Sequence, residues 1–327
     1  MIRLKPITII GGGLAGLTLG IGLRRQGVPV MIWEAGHYPR HRVCGEFISG
    51  DGQESLRRLR LWDRIIQAGA IPARTSAFFS GTKHSRVQAL PQPALCISRR
   101  VLDAVLAEDF QALGGELQQG RKWTDGVFVP GIVRASGRRS QPVENGWRWF
   151  GIKVHAKIAN LSADVEMHAV PHGYVGLCRL SDNTVNVCGL FRRGKSEPVQ
   201  SKSWSQILCD DPFGFLGRRL KDALLEPNSF CSVAGLPLRP QRASAQQECS
   251  IGDALTMIPP VTGNGMSMAF ESAEMAIEPL AAYSHGQITW EAARQTIGRA
   301  CDQQFAHRLD WRREHLDVHK RVGQPHL

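Results

Sequence analysis

The stretch that decides the fold is Ile7-Thr8-Ile9-Ile10-Gly11-Gly12-Gly13-Leu14-Ala15-Gly16, followed by an apolar run as far as Arg25. A β-branched run, a glycine turn and a helix-compatible stretch in this order predict a strand, a tight turn and a helix. In such a turn the first glycine permits the sharp bend, the second lets the backbone approach a pyrophosphate, and the third lets the helix pack on the strand. The free N–H groups at the helix start favour an anion. The sequence therefore predicts a dinucleotide-binding turn with ligand contacts at Gly11, Gly13, Leu14, Ala15 and Gly16.

A second strand is predicted from Val28 to Trp33, and it ends at Glu34, 18 residues beyond Gly16. In dinucleotide-binding folds a carboxylate at this position hydrogen-bonds a ribose 2′-hydroxyl and disfavours the 2′-phosphate of NADP. We therefore expect Glu34 and the adjacent Ala35 to contact the nucleotide.

The composition is that of a folded globular chain of 327 residues with a positive balance, since 40 Lys and Arg against 29 Asp and Glu give a net charge of +11. A basic chain can bind nucleic acid, an anionic membrane surface or an anionic small molecule. The densest basic segment, 308–321, alternates in sign, which is typical of a solvated helix rather than of a phosphate-tracking patch. We therefore expect a small-molecule partner and no nucleic acid.

The cysteines and the N-terminal run bear on location. The eight cysteines show no CxxC or CxxH spacing, so no zinc site or dithiol redox pair is predicted, and scattered free thiols are typical of a reducing compartment such as the cytoplasm. The uncharged run 6–23 superficially matches a signal peptide, but six glycines interrupt it and Arg24-Arg25 follow directly. We expect no integral membrane segment, because no other stretch reaches the roughly 18 apolar residues that a span needs.

Three further segments resemble a known family. They are Tyr38–Phe47 (YPRHRVCGEF), Ile97–Asp103 (ISRRVLD), and the pair Gly252–Ala254 (GDA) and Pro259–Met266 (PPVTGNGM). Together with the glycine turn they resemble the FAD-dependent oxidoreductases of the p-hydroxybenzoate hydroxylase fold, particularly the branch with geranylgeranyl reductases and related monooxygenases and halogenases. The resemblance implies an α/β fold, in which a Rossmann-like FAD-binding domain of the glutathione reductase type carries an interleaved antiparallel β-sheet substrate domain.

The resemblance also implies roles for individual residues. Cys44 and Glu46 would lie beside the flavin as catalytic residues, and Arg99 would face the cofactor. Asp253 would hydrogen-bond the ribityl chain, and the following helix would point its N-terminus at the flavin N1, where reduced flavin carries negative charge. No metal is implied. The cofactor contacts implied in these segments are Arg42, Cys44, Gly45, Arg99, Gly252, Asp253, Pro260, Gly263, Gly265 and Met266.

Two segments depart from the family pattern. Ser136 stands where the family commonly has Asp, and the stretch 115–131 is short for the β-ribbon of this fold. Strand-like alternation then follows in three runs, 147–155, 173–180 and 185–191, and a helical pattern covers 287–322. We therefore expect an FAD-binding domain in 1–75, 96–145 and 246–285, a substrate domain in 76–95 and 146–245, and a C-terminal helical segment in 286–327.

The resemblance leaves the reaction open. The expected function is FAD-dependent oxidation or reduction of a small apolar or aromatic molecule, either by NAD(P)H-dependent monooxygenation or by double-bond reduction, and the Cys44-Gly45-Glu46 segment favours the reductase branch. A single dinucleotide fingerprint implies that NAD(P)H is a transient electron donor without a domain of its own. The alternatives are a halogenase-like enzyme and a non-catalytic FAD-binding redox sensor. The oligomeric state is left open.

Overall fold

The computed structural model describes residues 4–81, 83–124, 126, 129–138, 146–158, 161–194, 208, 214–236, 241–258 and 263–310. Pro260 and most of the basic C-terminal segment lie outside these described residues. The described chain forms two β-sheets flanked by seven α-helices.

The elements alternate in a way that divides the chain between the two sheets. The strands are β1 (Ile7–Ile10), β2 (Val30–Glu34), β3 (Phe47–Ile48), β4 (Ile71–Ser80), β5 (Lys83–His84), β6 (Gln88–Cys96), β7 (Glu116–Gln119), β8 (Ile132–Arg134), β9 (Trp147–Lys157), β10 (Val165–Val170), β11 (Gly173–Arg179), β12 (Thr184–Gly194), β13 (Leu224–Ala234) and β14 (Cys249–Ser250). The helices are α1 (Leu14–Arg25), α2 (Gly50–Arg58), α3 (Trp62–Gln67), α4 (Arg99–Ala112), α5 (Phe215–Leu220), α6 (Gly265–Ser284) and α7 (Trp290–Asp310), and a 3₁₀ turn covers Gly252–Ala254.

The smaller sheet has five parallel strands in the order β14-β8-β1-β2-β7. Helix α1 packs against this sheet and against α6 so closely that a Cβ on Gly22 would overlap the side chain of Ile277. The core of this layer is apolar, with Leu17, Leu23 and Phe270 fully buried. The predicted order of strand, glycine turn and helix is therefore confirmed, with β2 running from Val30 to Glu34.

The larger sheet has nine strands in the order β13-β9-β12-β11-β10-β4-β6-β3, with β5 paired to β4. Neighbouring strands of this sheet are antiparallel, except that β10 and β4 run parallel to each other. Because side chains alternate between the faces of a strand, the two faces differ in character. Val154, Val175 and Val187 face one way and form a core with Leu216 of α5. Lys153, His155 and Asn186 therefore project from the opposite face, toward the chain that precedes β3.

The sequence-derived division into domains remains a proposal, and the positions of the strands can be set beside it. All five strands of the parallel sheet fall in the segments assigned to cofactor binding. The large sheet also takes β3 and begins β4 at Ile71, so the chain crosses between the sheets around residues 47 and 71.

No helix in the described part of the chain is long and apolar enough to cross a membrane. The seven cysteines within that part are free thiols.

Candidate active site

The glycine turn opens a groove at the end of β1. Gly11 has a φ of +112°, which a side chain would strain, and a Cβ on Gly11 would also overlap the backbone of Ala135. Gly16 packs so tightly that a Cβ there would overlap the carbonyl oxygen of Gly11. Gly13 differs, because no atom lies within 4 Å of the position of its Cβ. Helix α1 then begins at Leu14 without a side-chain cap, so its first N–H groups face this open space.

Glu34 lies at the end of β2 beside the same turn. Its Oε2 accepts a hydrogen bond of 2.8 Å from the N–H of Gly12, and its Oε1 accepts one of 2.8 Å from the N–H of Gly36. Arg40 adds an ion pair of 2.5 Å to Oε1. Although burial alone would raise the pKa of Glu34, the hydrogen bonds from Arg40 and Gly36 lower it, so the carboxylate is charged at neutral pH. The structure thus places the predicted carboxylate at the turn and already orients it.

A second helix starts on the other side of the groove. Helix α6 begins at Gly265 after Asn264 without a side-chain cap, and no atom lies within 4 Å of a Cβ placed on Gly265. The 3₁₀ turn links the two helices, because a Cβ on Gly252 would lie 2.9 Å from the Cβ of Ala15 in α1, and the N–H of Gly252 donates to Ser272 Oγ in α6 at 3.0 Å. A Cβ on Gly263 would likewise lie 2.8 Å from the ring of Phe47. The Tyr38 hydroxyl donates to the carbonyl of Gly12, and the N–H of Arg99 donates to Glu46. The three segments that carry the family resemblance therefore contact one another and the glycine turn.

Asp253 lies in a recess between these segments. Its side chain is accessible, yet surrounding protein raises its pKa through desolvation, while the charges of Arg99 and Arg138 oppose that rise. An accessible carboxyl group surrounded by protein is what a ligand groove provides. The side chain of Met266, the second residue of α6, is by contrast buried in the apolar core.

Arg99 begins α4 and is held by a residue one turn later. Its Nε and Nη2 donate to the two carboxylate oxygens of Asp103 at 2.7 and 2.9 Å, and Asp103 is fully buried. Burial would lower the pKa of Arg99, but the charge of Asp103 outweighs it and raises the pKa. A bidentate pair of this kind fixes the guanidinium in one orientation.

Cys44 and Gly45 lie on the accessible side of the segment between β2 and β3. Gly45 is exposed, with no atom within 4 Å of its Cβ position, and Arg42 is also exposed. The Sγ of Cys44 accepts from the N–H of Glu46 at 3.4 Å, and Asn186 donates to the Cys44 carbonyl at 2.8 Å. Burial raises the pKa of the Cys44 thiol, with the charge of Arg99 opposing it. Cys44 is therefore a protonated thiol at neutral pH.

Glu46 is the centre of a buried polar cluster. It has a φ of +58°, which is uncommon for a non-glycine residue, and it is fully buried. Its Oε2 accepts from His155 Nε2 at 2.7 Å, while its Oε1 accepts from the N–H of Arg99 at 2.8 Å and pairs with Lys153 Nζ at 3.3 Å. Burial would raise the pKa of Glu46, but the hydrogen bond from His155 and the charge of Lys153 lower it. His41 completes the cluster, because its Nδ1 lies 2.9 Å from Lys153 Nζ.

The cluster contains three groups in metal-ligand proximity. Ligand atoms of His41, Glu46 and His155 lie within 4.8 Å of one another. Lys153 Nζ contacts both His41 and Glu46, so an ammonium ion already balances the carboxylate at this place. A divalent cation would have to displace that charge, which opposes metal binding.

The residues present fit an FAD molecule. Four of the glycines with open Cβ positions, Gly13, Gly45, Gly137 and Gly265, lie in or next to these segments. Buried polar atoms in the described chain that have no hydrogen-bond partner include Arg40 Nε and Nη2, Arg138 Nε and Ser250 Oγ. Unpaired donors beside two uncapped helix starts are suited to the oxygens of a pyrophosphate and a ribose.

Sequence reasoning missed several residues of this site. The sequence-derived expectations give no role in the site to His155, Lys153, His41, Asp103 or Arg138. Lys153 and His155 alternate with Ile152 and Val154 on β9, and a charged residue at every second position of a buried strand was the available signal. His41 and Arg138 carry no such pattern.

Comparison with known proteins agrees with this arrangement. Residues 5–137 match the family model of the FAD binding domain. Monooxygenase 1 of Arabidopsis thaliana is 31% identical over 104 residues, which are 31% of this chain and 26% of that protein. A flavoprotein/dehydrogenase from Cytophaga hutchinsonii has a TM-score of 0.76 at 15% identity, covering 94% of this chain and 85% of that chain. The myxobacterial chondrochloren halogenase, an FAD-dependent halogenase, has a TM-score of 0.76 at 17% identity, with 94% and 81% covered.

Residues 5–137 thus carry an FAD binding domain with FAD as the cofactor, and the chain has the fold of the flavoprotein and of the FAD-dependent halogenase named above. The expected α/β fold and the expected cofactor are thereby confirmed. The chain spans between 25% and 62% of the length of the curated relatives that it matches.

Proposed function

We propose that this protein is an FAD-dependent oxidoreductase that uses NAD(P)H as a transient electron donor and acts on a small apolar or aromatic molecule. The observation that carries the proposal is that both helix starts, at Leu14 and Gly265, lack a side-chain cap and have open space at the adjoining glycines, as does the Cys44-Gly45 segment. FAD supplies two-electron redox chemistry when it is bound. The protein supplies position, charge and a closed environment around it.

The pyrophosphate end would be held by the start of α1 and by arginines. Arg42 and Arg138 bring positive charge, and the unpaired Nε of Arg138 is an available donor. Glu34, oriented by Gly12 and Arg40, would accept from the ribose. Arg99, held by Asp103, would face the cofactor, and the start of α6 would stabilise negative charge there.

The substrate side is expected on the face of the large sheet that carries Lys153. Farther along this face lies an apolar cluster that includes Trp149, Tyr174 and Leu190, with Leu236 and Met257 packed against them. Aromatic and apolar side chains are typical linings of pockets for small organic ligands. This cluster supports an apolar or aromatic substrate.

The reaction class is a choice between double-bond reduction, monooxygenation and halogenation. The Cys44-Gly45-Glu46 segment supports the reductase, the curated monooxygenase relative supports oxygenation, and the halogenase structure of the same fold supports halogenation. Glu46 would hold charge and hydrogen bonds in place for proton transfer in each of them. We favour reduction or monooxygenation, with halogenation as the second candidate.

The experiment that tests the proposal uses the purified holoprotein. Release of FAD on denaturation, followed by reduction of the bound flavin by NADH or NADPH, is the expected result. Turnover of a panel of apolar and aromatic compounds under three conditions then separates the classes: without oxygen for a reductase, with oxygen for a monooxygenase, and with oxygen and bromide for a halogenase. Bound FAD that no pyridine nucleotide reduces would contradict the enzyme and leave the redox sensor.

A further inference from the structure

The cluster around Glu46 is a row of four ionisable side chains, joined by two hydrogen bonds and one ion pair. The row runs from His41 Nδ1 to Lys153 Nζ at 2.9 Å, from Nζ to Glu46 Oε1 at 3.3 Å, and from Glu46 Oε2 to His155 Nε2 at 2.7 Å. The His41 and His155 rings also meet edge to face, with centroids 4.9 Å apart. Lys153 and Glu46 each contact two members of the row, and His41 and His155 stand at its ends.

Three of the four members are closed off from solvent. Lys153 and Glu46 are 0% exposed and His155 is 5% exposed, whereas His41 is half-buried. On the strands beside β9, Lys153 lies opposite Cys188 and Cys231, whose thiols burial keeps protonated because it raises their pKa values. Of the four members, His41 is the one with substantial exposure to solvent.

A buried ion pair of this kind contributes little net stability to the fold. The cost of desolvating two charges rivals their attraction, so a pair of well-packed apolar residues would be about as stable. The positive φ of Glu46 adds backbone strain at the same place. Strain and buried charge together are features of functional sites.

The hydrogen bond from Lys153 determines the state of His41. An ammonium group donates only, so the Nδ1 of His41 accepts and its remaining proton lies on Nε2. Nε2 of His41 has no hydrogen-bond partner within the described part of the chain. Its N–H group is therefore available to a partner outside the row. Gly45 and Arg42 are exposed on the same segment, where the cofactor groove lies.

We propose that His41 is the proton donor and acceptor of this site and that Lys153, positioned by Glu46 and His155, supplies its proton. The proposal rests on the proposed function, because it assigns the proton exchange that reduction or oxygenation of a substrate requires. His41 is the catalytic residue in this assignment, and the other three are positioning residues.

The proton balance of the step is closed. The Nε2–H bond of His41 breaks as a new bond to hydrogen forms on the acceptor, and one Nζ–H bond of Lys153 breaks as an Nδ1–H bond forms on His41. The acceptor gains one proton, Lys153 becomes a neutral amine, and Glu46 stays a carboxylate. No electron leaves the row. Lys153 regains its proton from water through His41 by the reverse route.

The first test is a histidine-selective NMR titration of the full-length chain with and without FAD. Burial and then the charges of Lys153 and His155 lower the pKa of His41 to about 4, with Arg100 acting in the same direction and Glu46 opposing. We expect His41 to carry its proton on Nε2 and to stay neutral above pH 5. In K153M the titration should move toward the ordinary value of 6.5, and in K153R it should stay low.

A second variant covers the case in which K153M fails to fold. The double variant K153M/E46Q removes both charges of the pair. Loss of Lys153 raises the pKa of His41 and loss of Glu46 lowers it, and because the Lys153 effect is the larger, the titration should still move upward, by less than in K153M. A wild-type His41 that titrates near 6.5, or that carries its proton on Nδ1, overturns the proposal. This readout needs no bound flavin, so it is separate from any failure of the proposed function.

The second test measures proton use in the holoprotein with NADH and oxygen as probes. Their reaction consumes one proton for each hydrogen peroxide released. We expect H41Q and H41N to slow this turnover by about tenfold to a hundredfold without changing FAD content or the KM for NADH. The matched control H307N changes an exposed histidine of α7 and should leave the rate unchanged. A wild-type rate in H41Q, which keeps an N–H near the position of Nε2, overturns the proposal, because glutamine donates a hydrogen bond but relays no proton.

Discussion

The backbone N–H of Arg99 donates to Oε1 of Glu46 at 2.8 Å, although 53 residues separate them. This bond places a buried carboxylate at the first turn of α4, where the helix dipole stabilises negative charge. It also ties the Cys44-Gly45-Glu46 segment to the arginine expected to face the cofactor. The two family segments therefore form one unit, joined through the same carboxylate.

Removal of the Glu46 carboxylate should destabilise the protein strongly. E46A leaves Lys153 buried without its counter-ion, and breaking a buried pair costs about 3–5 kcal/mol. The matched control is E54A, because Glu54 is exposed and its ion pair with Arg57 contributes about 0–1 kcal/mol. Urea unfolding of both variants measures the difference. Equal midpoints for E46A and E54A would contradict the buried cluster.

Substitution of two glycines of the same turn by alanine should affect different properties, FAD affinity at Gly13 and fold stability at Gly16. G13A places a methyl group in open space, so the variant should fold normally and lose FAD affinity by about tenfold or more. G16A places it against the carbonyl oxygen of Gly11, so the fold itself should be destabilised, by about 1–3 kcal/mol. Thermal unfolding of the apoprotein and a fluorescence titration with FAD separate the two effects. A stable G13A protein with unchanged FAD affinity would mean that the groove does not hold the pyrophosphate.

Asp103 should matter for the cofactor through Arg99. D103N removes the bidentate ion pair and frees the guanidinium, which we expect to weaken FAD binding by about tenfold. D109N is the control on the same helix, because Asp109 pairs with Arg64 away from the groove. We would measure the FAD dissociation constants of both variants and check by urea unfolding that their stabilities are equal. A larger constant for D103N than for D109N is expected if Asp103 holds Arg99 for the cofactor. If D109N weakens binding as much as D103N, Arg99 is not held for the cofactor.

The nucleotide half of the molecule could be predicted from the sequence because its constraints are local. The β-branched run before Gly11 and the close packing at Gly16 follow from neighbouring residues, and both occur in the structure. The cluster around Glu46 could not be predicted in the same way. It joins Glu46 to Lys153 and His155, which are more than 100 residues away, and only the curvature of the large sheet brings them together. Alternation along β9 indicates a polar face, but not which groups it meets.

Stability should fall as the pH is lowered from about 6.5 toward 4, and His41 should set part of that slope. His41 has a folded-state pKa of about 4 against an ordinary 6.5, so in this window the unfolded chain binds a proton that the folded chain does not. Protons therefore favour unfolding, and the loss begins below pH 6.5 and is complete near pH 4. Glu46, whose pKa is lowered in the fold, adds a further loss at more acidic pH, where the folded carboxylate is protonated. Urea unfolding at half-unit pH steps measures the slope in the wild type and in H41N, which lacks the imidazole. We expect a shallower slope for H41N between pH 6.5 and 4 and the same steep loss below it, and identical slopes in that window would show that His41 titrates normally in the folded protein.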